Sequence, residues 1–422
     1  MPKWHFLLGI FLSNILLAQS NDVRRITEEL CSSKLNGRGY VLKGDSLASV
    51  FIAQEFQKIG LKKKKRTYFQ SFLHDVNTFP GAMSVVSGND TLVPGIDYLV
   101  DPSCPSFNGT LKPAVISYKM AMNQERLQND LIALLKGKVY NSILLDYRNC
   151  PNDTLKQLAG LTQTLAGVLP VFELTDKKLT WSVSSEQLKY PLIQIHTGGK
   201  FHEDQSLSVQ IEAILLRNYE SRNVVGYLPA TKKSKKTVIV SAHYDHLGRM
   251  GAATYFPGGN DNASGTATLI EMAKQLKGLD RHYNYLFIAF AGEEAGLVGS
   301  KYYVEHPIIP LSKTRFVLNL DIMGSGEEGI TVVNATLFPK EMEALQKINV
   351  REKLLTQVKS RGPAANSDHY WFTQAGVPAF FVYTMGPNKN YHDIFDTYSN
   401  LSFQESDDLL KLLMEFIRTI ED

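Results

Sequence analysis

The chain has 422 residues, 44% hydrophobic and 21% charged, which is ordinary globular composition with material for one large domain or two moderate ones. Its 45 basic and 42 acidic residues give a formal net charge of +3, too even a balance for a nucleic-acid partner or a polybasic membrane surface. Three cysteines, Cys31, Cys104 and Cys150, allow at most one disulfide and form no metal-binding pattern, so a disulfide-framework fold is excluded.

In chain order, Lys3 precedes an apolar stretch from Phe6 to Leu17 that ends at Ala18 and is followed by polar residues. This reads as a secretory signal peptide cleaved near Ala18 or Ser20, and predicts a secreted or periplasmic protein. No later segment approaches the roughly 20 apolar residues that a spanning helix needs, so no membrane span is expected. From Ser46 to Ile59 apolar residues recur at helical spacing and Gly60 follows as a stop, which predicts an amphipathic helix. The basic run Lys62 to Arg66 reads as a solvated face. Between about Phe69 and Leu216 the texture changes to short strand-like runs, such as Ala114 to Tyr118, Ser142 to Asp146, Leu169 to Phe172 and Leu207 to Leu215, with a little helix near Thr154 to Leu165.

From Asn223 onward strands and helices alternate. Strands are expected at Val224 to Leu228, Val238 to Ala242, Tyr285 to Ala291, Phe316 to Asp321 and Ala379 to Tyr383. Helices are expected at Gly265 to Leu276, Gly296 to Glu305, near Pro339 to Leu355, and from Ser402, a plausible N-cap, to Ile420. This rhythm predicts an α/β fold with a mostly parallel, mixed central sheet flanked by helices. The Ser46 helix is expected to pack on the same domain, which makes the β-rich lobe an insertion.

Acidic and imidazole side chains gather where these strands end. One strand runs into His243, Asp245 and His246; Asp261 sits in a Gly-rich loop just before a helix; the strand ending at Ala291 leads to Glu293 and Glu294; another ends at Asp321. Ligands of open α/β sheets bind outside the carboxyl ends of the strands, so these four loops should converge on one crevice. Like carboxylates packed together must protonate or be neutralised, and a mixture of carboxylates with neutral imidazoles suits zinc.

These motifs resemble the co-catalytic dizinc exopeptidase family that includes bacterial secreted leucyl-type aminopeptidases and the glutamate carboxypeptidases. The resemblance covers roughly Asn223 to the C-terminus plus the early helix, and the loop Asp261-Asn-Ala-Ser-Gly265 and the segment Tyr391-His392-Asp-Ile-Phe-Asp396-Thr397 carry it most strongly. It implies two Zn2+ ions bridged by Asp261, one completed by His243 and Asp321 and the other by Glu294 and His392. Adjacent glutamates cannot point the same way, so one can bind metal while the other faces the shared water; with Glu294 the ligand that the resemblance implies, Glu293 is expected as general base. Asp245 is expected to hold the other nitrogen of His243, and Tyr391 matches a position from which some relatives donate to the oxyanion. His246 is expected to be a structural or rim residue. Ser367, Asp368 and His369 resemble a segment near the substrate pocket, and Asn366 stands where some relatives carry arginine.

The layout implied is a signal peptide at 1–18, an N-terminal helical part of the catalytic domain at 19–68, a β-rich, protease-associated-like insert at 69–216, and a dizinc peptidase domain of the zinc exopeptidase, phosphorylase/hydrolase-like class at 217–422. The activity implied is removal of N-terminal residues from a peptide or small protein with a free N-terminus. Within the same family a carboxypeptidase or dipeptidase is the first alternative; it needs basic pocket residues for a free carboxylate, and no arginine cluster occurs among the motif loops. A glutaminyl cyclase-like transferase keeps one zinc, which the retention of His243 with four other ligands argues against. A non-enzymatic binding module would have lost ligands that are all present here.

Overall fold

The strand Thr237–His243 is buried at all seven positions, as is Asn284–Phe290, because each lies inside a sheet covered on both faces. The computed structural model describes residues 22–136, 139–198, 201–202 and 205–421; the apolar run read as an export signal lies outside them. The main sheet has eight strands: β1 (Phe69–Thr78), β2 (Ile214–Leu228), β3 (Thr237–His243), β4 (Asn284–Phe290), β5 (Thr314–Leu320), β6 (Ile330–Val333), β7 (Val358–Ser360) and β8 (Ala379–Thr384). Their spatial order is β1-β2-β4-β3-β5-β8-β6-β7. The central four, β4, β3, β5 and β8, are mutually parallel, whereas β1, β2 and β6 pair antiparallel to their inner neighbours. The carboxyl ends of the four parallel strands therefore open on one edge, which is where His243, the Glu293 loop, Asp321 and the segment toward His392 emerge.

One face of this sheet is covered by the helices Gly44–Ile59, Gly265–Lys277 and Ser406–Thr419, whose Ala48, Ile52, Phe56, Leu269, Leu413 and Phe416 are buried in a common core with the sheet. On the other face Tyr303 and Phe372, from the helices Val298–Glu305 and His369–Gln374, pack over Ile239, Ile288 and Val317. The early helix thus belongs to the main layer structure, as its apolar spacing required.

The inserted lobe is built on two further sheets. One is four-stranded and antiparallel; the other has five strands, four of them parallel, in the order Tyr98–Val100, Leu192–His196, Val171–Thr175, Ser142–Asp146, Pro113–Ser117. Parallel neighbours need crossovers, and two helices, Gln124–Lys136 and Asn152–Ala166, supply two of the three, while the last, between Thr175 and Leu192, carries no helix. The lobe is therefore more helical than its short apolar runs suggest. Strand β1 pairs with β2 in the main sheet, so the main domain extends into the segment read as insert. The run Leu207 to Leu215 is two strands, Leu207–Ile211 and the start of β2, which serve different sheets. The last helix begins at Ser406, and Ser402 does not cap it. All three cysteines are free and buried. Among the described residues no helix is long and apolar enough to cross a membrane.

Candidate metal centre

His243 is the final residue of β3, and its backbone carbonyl accepts a hydrogen bond from Thr266 Oγ1 at 2.8 Å. Its Nε2 lies 3.2 Å from Asp261 Oδ1 and 3.4 Å from Asp321 Oδ1. The second oxygen of the same aspartate, Oδ2, lies 3.0 Å from His392 Nε2, which is also 3.3 Å from Glu294 Oε2. Asp261 thus presents one oxygen to each of two imidazole–carboxylate groups. Zinc at roughly 2.0–2.1 Å from each ligand in tetrahedral geometry sets ligand atoms about 3.3 Å apart, which is the spacing seen in both groups. Asp321 Oδ1 is buried without a hydrogen-bond partner, as a carboxylate oxygen reserved for a cation would be. The residues present fit a pair of metal ions sharing Asp261.

The loop carrying Asp261 is held from three sides. The Asp396 carboxylate accepts from the backbone N–H groups of Asn260, at 2.9 and 3.0 Å, and of Asp261, at 3.0 Å. Asn262 Nδ2 donates to Leu320 O at 2.9 Å. The third support comes from a residue that sequence reasoning missed: Arg38, wholly buried, donates to the carbonyls of Leu30, Tyr244, Pro257, Gly258 and Asp261 at 2.6–3.3 Å. A flexible ammonium could not span these acceptors; the five donors of a planar guanidinium can. Arg38 reaches them because Gly39 lies against the backbone of Gly248, where an added Cβ would come within 2.4 Å of the Gly248 Cα. Nothing in a lone arginine between glycines signals such a role without the fold.

Asp245 differs from expectation. The nitrogen His243 Nδ1 donates to the backbone carbonyl of Asp245 at 3.1 Å, while the carboxylate stands 3.8 Å away. That carboxylate accepts instead from the backbone N–H groups of Glu293 at 3.2 Å and Glu294 at 3.3 Å, so it fixes the turn that points the two glutamates apart. His246, expected to be structural or at a rim, is fully buried, and its Nδ1 lies 2.8 Å from Glu294 Oε1. The orientation of His392 is set by the inserted lobe: Nδ1 donates to Trp181 O at 2.8 Å.

A cavity of about 290 Å³ opens over His243, Asp261, Glu293 and Asp321, with Ile322, Phe381, Tyr383 and Tyr391 as its apolar and aromatic walls. Tyr391 is half exposed and stacks on His392 with ring centroids 3.8 Å apart. An adjoining cavity of about 330 Å³ shares Asp261, Ile322, Tyr383 and Tyr391. The segment expected near the pocket is placed differently: Ser367, Asp368 and His369 are wholly buried and do not line this cavity, whereas Asn366 does. Ser367 Oγ instead donates to Asp321 Oδ2 at 3.3 Å, behind the ligand oxygen. His369 lines a separate cavity, where burial lowers its pKa to about 4. Sequence reasoning also missed Arg361, an exposed residue lining the same cavity, whose guanidinium donates to Tyr383 Oη at 3.3 Å.

The electrostatics are those of acids crowded out of water. Burial pushes Glu293 well above the usual carboxylate range, and the charges of Glu294, Asp368 and Asp321 add to it. Burial likewise raises Asp321, and raises Asp245 to about 7. Burial opposes charge on the imidazoles, but Asp321, Glu293 and Asp261 outweigh it at His243, and Glu294 and Asp261 push His392 up to about 11. Against the same burial, the His392 charge and bonds from His246 and His392 bring Glu294 down to about 2. Without metal, then, protons occupy the positions that cations would neutralise.

The model of peptidase family M28 matches residues 223–417. Aminopeptidase YwaD of Bacillus subtilis is 31% identical over 254 residues, covering 55% of this chain and 52% of that protein. Aminopeptidase Y of Saccharomyces cerevisiae is 32% identical over 185 residues, covering 39% of this chain and 34% of its own length. The aligned region thus spans about half the length of the first of these relatives and a third of the second. Among solved structures, BSAP, a zinc aminopeptidase from Bacillus subtilis, superposes with a TM-score of 0.69 at 18% identity over 95% of this chain and 94% of that one. A peptidase M28 precursor from Shewanella amazonensis gives 0.65 at 14% identity over 97% and 96%. Both likenesses extend over the inserted lobe as well as the main sheet, and they show the fold. By sequence, this chain is similar to peptidase family M28 over residues 223–417.

Proposed function

We propose that this chain is an exported two-zinc aminopeptidase that releases N-terminal residues from peptides. The observation that carries the reading is Asp261, whose two oxygens face two different imidazoles, His243 at 3.2 Å and His392 at 3.0 Å. The names of the relatives, aminopeptidases among them, support the substrate class. His243, Asp261 and Asp321 would hold one ion, and Asp261, Glu294 and His392 the other. Bound there, two zinc ions would supply a water of lowered pKa and a Lewis-acid hold on the scissile carbonyl. Glu293, facing the cavity from the same turn as Glu294, accepts the proton of the attacking water and delivers it to the leaving amine. Asp245 positions both glutamates through their backbone N–H groups, and Tyr391 stands at the cavity wall, from which its hydroxyl can donate to the developing oxyanion. The apolar run after Lys3 supports export.

Arg361 favours one second reading, a carboxypeptidase, because it adds a guanidinium to the cavity that the motif loops lack. It stands there as a single arginine, and its bond is to a tyrosine. A panel of aminoacyl anilides with free and acetylated amines, together with N-blocked peptides bearing free carboxylates, separates the readings. Release from free-amine substrates alone supports the aminopeptidase. Hydrolysis confined to the N-blocked peptides supports the second reading and contradicts the first.

A further inference from the structure

The loop that carries Tyr391 and His392 packs on the inserted lobe through Ile394 and is hydrogen-bonded to it through the short segment 178–181, part of the connection between the lobe's strands Val171–Thr175 and Leu192–His196. Trp181 and His392 exchange two bonds: the Trp181 N–H donates to His392 O at 3.0 Å, and His392 Nδ1 donates to Trp181 O at 2.8 Å. Three residues earlier, Lys178 Nζ lies 2.6 Å from Lys389 O, 2.8 Å from Tyr391 O and 2.8 Å from Asp393 Oδ2. An ammonium has three N–H donors, and all three are taken by this one loop.

The lobe end of the latch is rigid. Trp181 Nε1 donates to Val100 O at 2.8 Å, and its ring stacks on Phe256 of the main domain with centroids 4.7 Å apart and planes at 25°. The loop end is under constraint, because His392 has φ of 58°, the left-handed region that a non-glycine residue rarely adopts. Such a conformation persists only where surrounding bonds impose it, and here they are the loop's own bond from Asp393 N–H to Asn390 O and the two bonds with Trp181 of the lobe.

We propose that the inserted lobe is a working part of the metal centre: segment 178–181 latches the His392 loop and thereby sets metal affinity in the Asp261–Glu294–His392 group, with Lys178 as a positioning residue. The inference rests on the two-zinc reading for its metal arm only. Lys178 is partly exposed and meets the loop only at two backbone carbonyls and the Asp393 carboxylate, so its replacement leaves the core intact.

The test compares Lys178→Met and Lys178→Arg with the unaltered full chain, by zinc retained against a graded chelator and by amide hydrogen exchange of residues 388–396 in the metal-free protein. Lys178→Met should release one of two zinc ions about tenfold more readily, the size usual for a group that orients a metal ligand. The other ion should be held as before, the His392 loop should exchange faster, and Lys178→Arg should fall between. Unchanged zinc retention and unchanged exchange in Lys178→Met would overturn the latch. If the unaltered chain holds fewer than two zinc ions, the two-zinc reading falls instead, and the exchange arm still decides whether the lobe fixes the loop.

Discussion

His246 Nδ1 and Glu294 Oε1 lie 2.8 Å apart, while the other oxygen of that carboxylate, Oε2, turns to His392. The imidazole therefore spends its hydrogen bond on aiming a ligand. His246→Ala should weaken zinc in the His392 group by roughly 10–100-fold and leave the His243 group loaded, the usual effect of removing a group that orients a ligand. Chelator competition with elemental analysis checks this; equal loss of both ions would place His246 in a role common to the two.

Glu293 and Glu294 should separate chemistry from binding. Glu293→Gln keeps size and hydrogen bonding but cannot accept a proton, so zinc should remain while turnover falls by about 10²–10⁴-fold. Glu294→Gln weakens a metal ligand, so activity should fall with zinc occupancy and recover in part in excess zinc. Zinc content and release of the N-terminal residue, measured on both variants after the same dialysis, give the comparison. Loss of zinc from Glu293→Gln with retention in Glu294→Gln would reverse the roles.

Arg38 holds the Asp261 loop through backbone carbonyls alone. Arg38→Met should remove a donor from five backbone carbonyls, of which Gly258 O keeps the Ala263 N–H, at about 1–3 kcal/mol for each left unsatisfied, and lower the denaturation midpoint sharply. A denaturant titration that matched the unaltered chain would show that water replaces the guanidinium without loss.

Zinc uptake should release protons. In the metal-free chain His243 is held well above the usual imidazole range, against the opposing effect of burial, by Asp321, Glu293 and Asp261, and His392 is raised to about 11. At pH 7 both are charged, and coordination requires them neutral, so binding should expel about two protons per chain and affinity should rise with pH. Stability of the metal-free fold runs the opposite way: a raised imidazole pKa stabilises it below about pH 6.5, and that contribution is lost as pH rises through the folded value. Calorimetry in buffers of different ionisation enthalpy measures the proton count. An uptake of protons on zinc binding would contradict this electrostatic picture.

His243, Asp261, Glu294 and Asp321 were legible because each follows a buried strand or sits in a Gly-rich turn, and the carboxyl ends of the parallel strands β3, β4, β5 and β8 share one edge of the sheet, whereas His392 was legible only through the resemblance of its segment. What supports them was less so. Trp181 contributes a backbone carbonyl and a backbone N–H, which every residue except proline carries, so its identity tells nothing of that task. Arg38 acts across more than 200 positions of sequence on the Tyr244 and Pro257 carbonyls. Asp245 was singled out for its nearness to His243, but the strand ends at His243, so strand spacing no longer aims the side chain two positions on, and the carboxylate serves Glu293 and Glu294. The short strands β6 and β7, of four and three residues, are too brief for an alternating pattern to appear.

The central claim is that one aspartate, Asp261, joins two metal sites, and zinc per chain in the unaltered protein and in Asp261→Asn tests it most directly. Elemental analysis after zinc replenishment and gel filtration should give two ions in the unaltered chain, and in Asp261→Asn both should be lost together, because the two carboxylate oxygens serve different imidazoles. A single tightly held ion in the unaltered chain, or two ions retained in Asp261→Asn, would contradict it.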